Sequence, residues 1–77
     1  MYIVIETQTN GSSISTIVTD HATEAQAEQK YHTVLSAAAV SNVQRHGAIL
    51  ASDDLKSFRR ELYDRTDPEH VIHIIGE

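Results

Sequence analysis

The sequence contains no cysteine and no tryptophan, and only one phenylalanine (Phe58), one proline (Pro68) and three glycines. Without cysteine no disulfide can staple the fold, and no thiolate can bind zinc or attack a substrate. Disulfide-rich toxins, iron–sulfur proteins and cysteine enzymes are therefore excluded. A stacking platform for bases would rest on the three tyrosines. Positive charge is scarce as well: residues 1–29 carry no Lys or Arg, and the whole chain has a net charge of −5. That balance disfavours a nucleic-acid polymer as partner, because such binding needs a basic footprint. No apolar run approaches the roughly 18–20 residues that span a bilayer. The N-terminal MYIVIETQT also lacks the basic flank of a signal peptide. The expectation is a cytoplasmic protein without a membrane partner.

With 77 residues the chain forms one domain, and a chain this short buries only about 60% of its unfolded surface. Its six bases all fall in residues 30–65, so any anion site belongs there. Tyr2 to Thr9 reads as a strand whose adjacent Tyr2, Ile3, Val4 and Ile5 suggest burial on both faces. Asn10-Gly11 is a strong turn signal, with Ile14 to Thr19 as the returning strand. Thr23 followed by Gln26 fits a capping box that opens a helix from Glu24 to Ser41. Ala27, Tyr31, Val34, Leu35 and Ala38 recur at three- and four-residue steps and form its apolar stripe. Val43 to Ser52 reads as a third strand, in which Gly47 signals a bulge or a close backbone approach. Ser57 to Asp64 alternates as a fourth, with a short helix as the competing reading. Val71 to Ile75 is strand-like and pairs either at the sheet edge or with another subunit.

The order predicts a two-layer α+β domain over residues 1–65. It is a β-β-α-β-β antiparallel sheet with one helix across one face, followed by a C-terminal tail, 66–77, that supplies the edge or exchanged strand. One helix covers one face of such a sheet, so a homodimer or higher oligomer is expected.

Catalytic chemistry finds little support. The five histidines do not show the spacing of three converging metal ligands, and His70 and His73 point to opposite faces of a strand. There is no GxSxG elbow, P-loop or GxGxxG. The expectation is a non-enzyme with no metal and no cofactor. The positive feature is a polar-aromatic set: Lys30, Tyr31 and His32 on the helix, Arg45 at the third strand with His46 beside it, and Arg59, Arg60 and Tyr63 on the fourth. Arginine forks match phosphates, and tyrosine or arginine planes can sandwich a base. Converging across a subunit interface, these residues would hold a small nucleotide-type anion. The competing reading packs Tyr31 in the core and leaves Lys30 and the arginines in solvent.

The stretches MYIVIETQTNG, STIVT, AEQKYHTVLSAAAVS and HGAILASDD resemble a group of small proteins of gut Firmicutes and their phages. The helix carries the most specific match, through Ala27, Glu28, Lys30, Tyr31, His32, Thr33, Leu35, Ala37, Ala38, Ala39, Val40 and Ser41. The resemblance brings no established activity and no functional residue. It implies a phage or mobile-element accessory protein directed against host defence. Two functions fit that setting. One is an oligomeric binding protein that sequesters a cyclic-nucleotide or ADP-ribose-like immune signal. The other is an inhibitor or adaptor that binds a host defence protein through its exposed sheet face or its acidic N-terminal hairpin.

Overall fold

The computed structural model describes residues 1–65 and the backbone of residues 71–76. It is an α+β domain in which one helix lies across an antiparallel sheet. The elements are β1 (Tyr2–Asn10), β2 (Ser13–His21), α1 (Glu24–Val40), β3 (Arg45–Ser52), β4 (Phe58–Asp64) and, from backbone alone, β5 (Val71–Gly76). The sheet order is β2-β1-β3-β4-β5, with every neighbouring pair antiparallel. The two hairpins therefore join through β1 and β3, and the first strand is interior rather than at an edge. The proposed tail segment 66–70 lies outside the described residues.

Each element has a local cause. Asn10 and Ser13 close the β1–β2 ladder, leaving Gly11 and Ser12 as a two-residue loop. Within this loop the positive φ falls at Gly11, at +66°, so the turn uses glycine at its first central position and Asn10 stays in the strand. Thr23 caps α1 in an extended conformation, and its Oγ1 accepts from the Gln26 amide at 3.2 Å. That bond satisfies one of the free donors of the first turn. At the other end Arg65, just past β4, donates from Nη2 to the carbonyls of Ala38 at 2.8 Å and Ala39 at 3.0 Å. The helix has no base in its own last turn, so this distant cation supplies the favourable charge at the negative end of the dipole.

Ala27, Tyr31, Val34, Leu35 and Ala38 are the buried residues of α1. All but Ala38 form one core cluster with Val4 of β1 and Ala48 and Leu50 of β3, with Tyr2 and Tyr63 at the margin. Strand alternation then fixes the two sides of the sheet. Glu6, His46, Arg59, Glu61 and Tyr63 share the helix side with the core. Ile3, Ile5, Ile14, Val18, Ile49, Phe58 and Leu62 lie on the other side. The expected burial of β1 on both faces is corrected: Val4 is buried, but Ile3 and Ile5 are only partly covered, because among the described residues no layer packs against their face. At Gly47 the β3–β4 register runs without interruption, so there is no bulge. The glycine is required by close approach instead, since a Cβ there would stand 2.5 Å from the Glu61 carbonyl oxygen.

Candidate functional site

The seven residues singled out by sequence divide between the two sides of the sheet. Tyr31 is fully buried, and its hydroxyl donates to Glu61 Oε1 at 2.9 Å. Burial pushes the Tyr31 phenol well above its ordinary value, and the bond to Glu61 and that residue's charge push it further. The Arg59 guanidinium lies 5.3 Å from the Tyr31 ring centre and is ion-paired to Glu28. Tyr31, Arg59, Glu61 and Glu28 thus form one network that ties α1 to β4. Tyr63 lies beside the core, with the Arg65 guanidinium 5.9 Å from its ring centre. Arg45 pairs with Asp64 across the β3–β4 ladder at 3.0 Å.

Lys30 lines a shallow polar groove with His21, Gln26, Gln29 and Thr33. His32 is exposed and meets the edge of Tyr31 at 5.7 Å. Arg60 projects from the opposite side of the sheet. Within one chain, then, Tyr31 and Arg59 come together, His32 touches that pair, and the remaining residues stand apart. Arg45 and Arg59 are already neutralised by acids. Among the described residues Lys30 and Arg60 have no acid partner.

A second buried polar group centres on His46, which the sequence sets beside Arg45 without showing its partner. His46 is 4% exposed, and its Nε2 meets Glu6 Oε2 at 2.7 Å. Gln8 donates to the same oxygen at 3.1 Å. Among the described residues His46 Nδ1 has no hydrogen-bond partner. The alternation of His46 with Ala48 and Leu50 carried the signal for its burial, but not for its partner 40 residues away. His46 and Glu6 lie on the helix side of the sheet, in the layer between sheet and helix. Among the described residues no group of three or more His, Cys, Asp or Glu is placed to hold a metal ion. No described helix is long and apolar enough to cross a membrane.

The surface that stands out is the helix-free face of the sheet. Ile14 and Val18 on β2 are 73% and 61% exposed. Ile3, Ile5, Ile49, Phe58 and Leu62 continue the patch, each partly covered. The register sets Val18, Ile5, Ile49 and Arg60 in one row and Asp20, Ile3, Ala51 and Phe58 in the next. A shallow depression of about 270 Å³ centres on Gly47, between Thr7, Ile49, Arg60 and Leu62. It is mainly apolar and smaller than the roughly 300–1,000 Å³ of small-molecule pockets. Monomeric proteins seldom leave a continuous apolar patch of this kind open, and such patches mark interaction surfaces. No family model, no curated protein and no solved structure matches the chain.

Proposed function

We propose that this protein is a non-catalytic interaction module that binds protein through the helix-free face of its sheet. The observation that carries this reading is the face itself, with aliphatic residues across four strands and two charges, Arg60 and Asp20, that lack ion-pair partners among the described residues. The fitting partner is a folded protein surface with an apolar centre, an acid for Arg60 and a cation for Asp20. Interfaces of this make-up have an apolar core and a polar rim.

A second reading, sequestration of a nucleotide-type anion between subunits, draws its support from Arg60 at the wall of the Gly47 depression. It ranks below the first because Arg45 and Arg59 are paired with acids and Tyr31 is buried. The resemblance to small phage-associated proteins fits either reading and decides neither.

A photo-cross-linking residue in place of Ile5, compared with one in place of Ser36 on the outer side of α1, tests the first reading in producing cells. Discrete protein adducts from position 5 and none from position 36 are expected. No adduct from position 5 would remove the reading.

A further inference from the structure

We infer that the occupant of the helix-free face is a second copy of this chain, in a two-fold dimer that pairs Arg60 of each copy with the partner's Asp20. The inference rests on reading that face as protein-binding, and it names the partner.

Size comes first. Strands of up to nine residues rise about 3.4 Å per residue, and strands about 4.8 Å apart give this sheet a face of roughly 600 Å² in projection. A standard interface buries about 800 Å² per partner over a corrugated surface. One sheet face is therefore of the right order to hold a dimer by itself. Two apolar sheet faces also stack readily, with side chains interdigitating between them.

Charge then selects the arrangement. A two-fold interface brings the same patch of both copies together, so the patch must complement itself. Both signs are present on the face: Arg60 on β4 and Asp20 on β2, each exposed and without an ion-pair partner among the described residues. Arg45 and Asp64, at the other end of the same face, satisfy each other within one chain.

Two sheets stacked face to face are related by an axis lying in the sheet plane. An axis running across the strands lays β4 on its twin and brings Arg60 toward the partner's Arg60, which repels. An axis along the strands, between β1 and β3, lays β4 over the partner's β2. Arg60 then sits above the partner's Val18, and the partner's Asp20 lies one alternate residue further on, roughly 7 Å along the strand. A guanidinium stem spans that distance while its methylenes cover aliphatic surface. The same register sets Leu62 of β4 above the partner's Thr16, between Ile14 and Val18, the two most exposed apolar residues of β2, and sets Ile14 above the partner's Asp64. Symmetry supplies the ion pair twice, at the rim, where such pairs fix register and exclude wrong arrangements.

Sedimentation velocity on the full chain and three variants is the test, with circular dichroism as the check on folding. The wild type should sediment at twice 8.6 kDa. Arg60→Glu and Asp20→Arg should each weaken the dimer at least about tenfold by setting like charges against each other. The double variant R60E/D20R reverses both signs and should return to within about threefold of wild type. Neither side chain has a hydrogen bond to lose among the described residues, so the single variants should keep the fold. A wild type that stays monomeric up to its solubility limit overturns the inference. So does a dimer indifferent to the single changes, which would mean pairing along the open edge of β2 instead. A double variant no tighter than the singles also overturns it. An adduct from position 5 whose mass is not that of two chains would sink the dimer while leaving the face a protein-binding surface. No adduct at all would remove the underlying reading.

Discussion

Tyr31 shows how one side chain can satisfy two expectations of opposite kind. Its place in the apolar helical stripe predicts a core residue, and its place beside Lys30 and His32 predicts a ligand contact. The ring lies in the core, and the hydroxyl is spent on Glu61. Nothing local in the sequence pairs position 31 with position 61, so the bond was not legible before the β3–β4 register was known. Gly47 was legible in kind, since a glycine within a strand signals close approach, but the atom approached, the Glu61 carbonyl oxygen, was not. Tyr31→Phe keeps the ring and removes the hydroxyl, with an expected loss of about 1–2 kcal/mol at neutral pH. The pH dependence has a definite sign. The folded chain holds the phenolic proton more tightly than the unfolded chain does. Its contribution is therefore complete below about pH 10 and declines as the pH rises beyond that, by about 1.4 kcal/mol per pH unit. Urea titrations at stepped alkaline pH should show this slope in the wild type and a shallower one in Tyr31→Phe. Equal slopes would assign the alkaline loss to other groups.

At the level of elements, sequence and structure agree where the pattern is local and repeated. The helical stripe, the Thr23 cap and the four strands up to Asp64 each follow from periodicity or a short motif, with boundaries within about two residues. What stayed hidden was the support that crosses the chain. The last turn of α1 has no base of its own, and its carbonyls are met by Arg65, 27 residues after Ala38. The sheet order was hidden for the same reason: two hairpins can join through either edge, and the β1–β3 pairing that decides it spans the whole helix. Arg65→Ala should fray the C-terminal turn of α1 while leaving its N-terminal half intact. Amide hydrogen exchange reads this as a loss of protection of about tenfold, equivalent to about 1.4 kcal/mol, confined to the last helical turn. Unchanged exchange there would show that the Arg65 contacts contribute nothing to the end of the helix.

For the molecule as a whole, the distribution of polarity is inverted relative to a simple two-layer domain. The helix side of the sheet holds the Arg59–Glu28 pair and the Glu6–His46 contact as well as the apolar core, while the Arg45–Asp64 pair lies on the other side. The side away from the helix carries isoleucines, valine, leucine and phenylalanine. Sequence alternation showed that each strand had two faces, but it could not show that the apolar residues of four strands share the uncovered one. That sharing depends on register, which moves every side chain to the opposite face with a slip of one residue. The expected site of seven residues was drawn from charge and aromaticity, and the fold brings only part of it together. The surface it leaves open was visible as individual strand residues and became a patch only once the strands were aligned. The most direct measurement is methyl-labelled nuclear magnetic resonance of the purified protein with a soluble paramagnetic agent. It compares Ile14 and Val18 with Ile17, which lies on the same strand but on the helix side, where it is 47% exposed. Closure of the helix-free face by a second copy predicts that the Ile14 and Val18 methyls are shielded while the Ile17 methyls are strongly relaxed. Relaxation of Ile14 and Val18 as strong as that of Ile17 would contradict it.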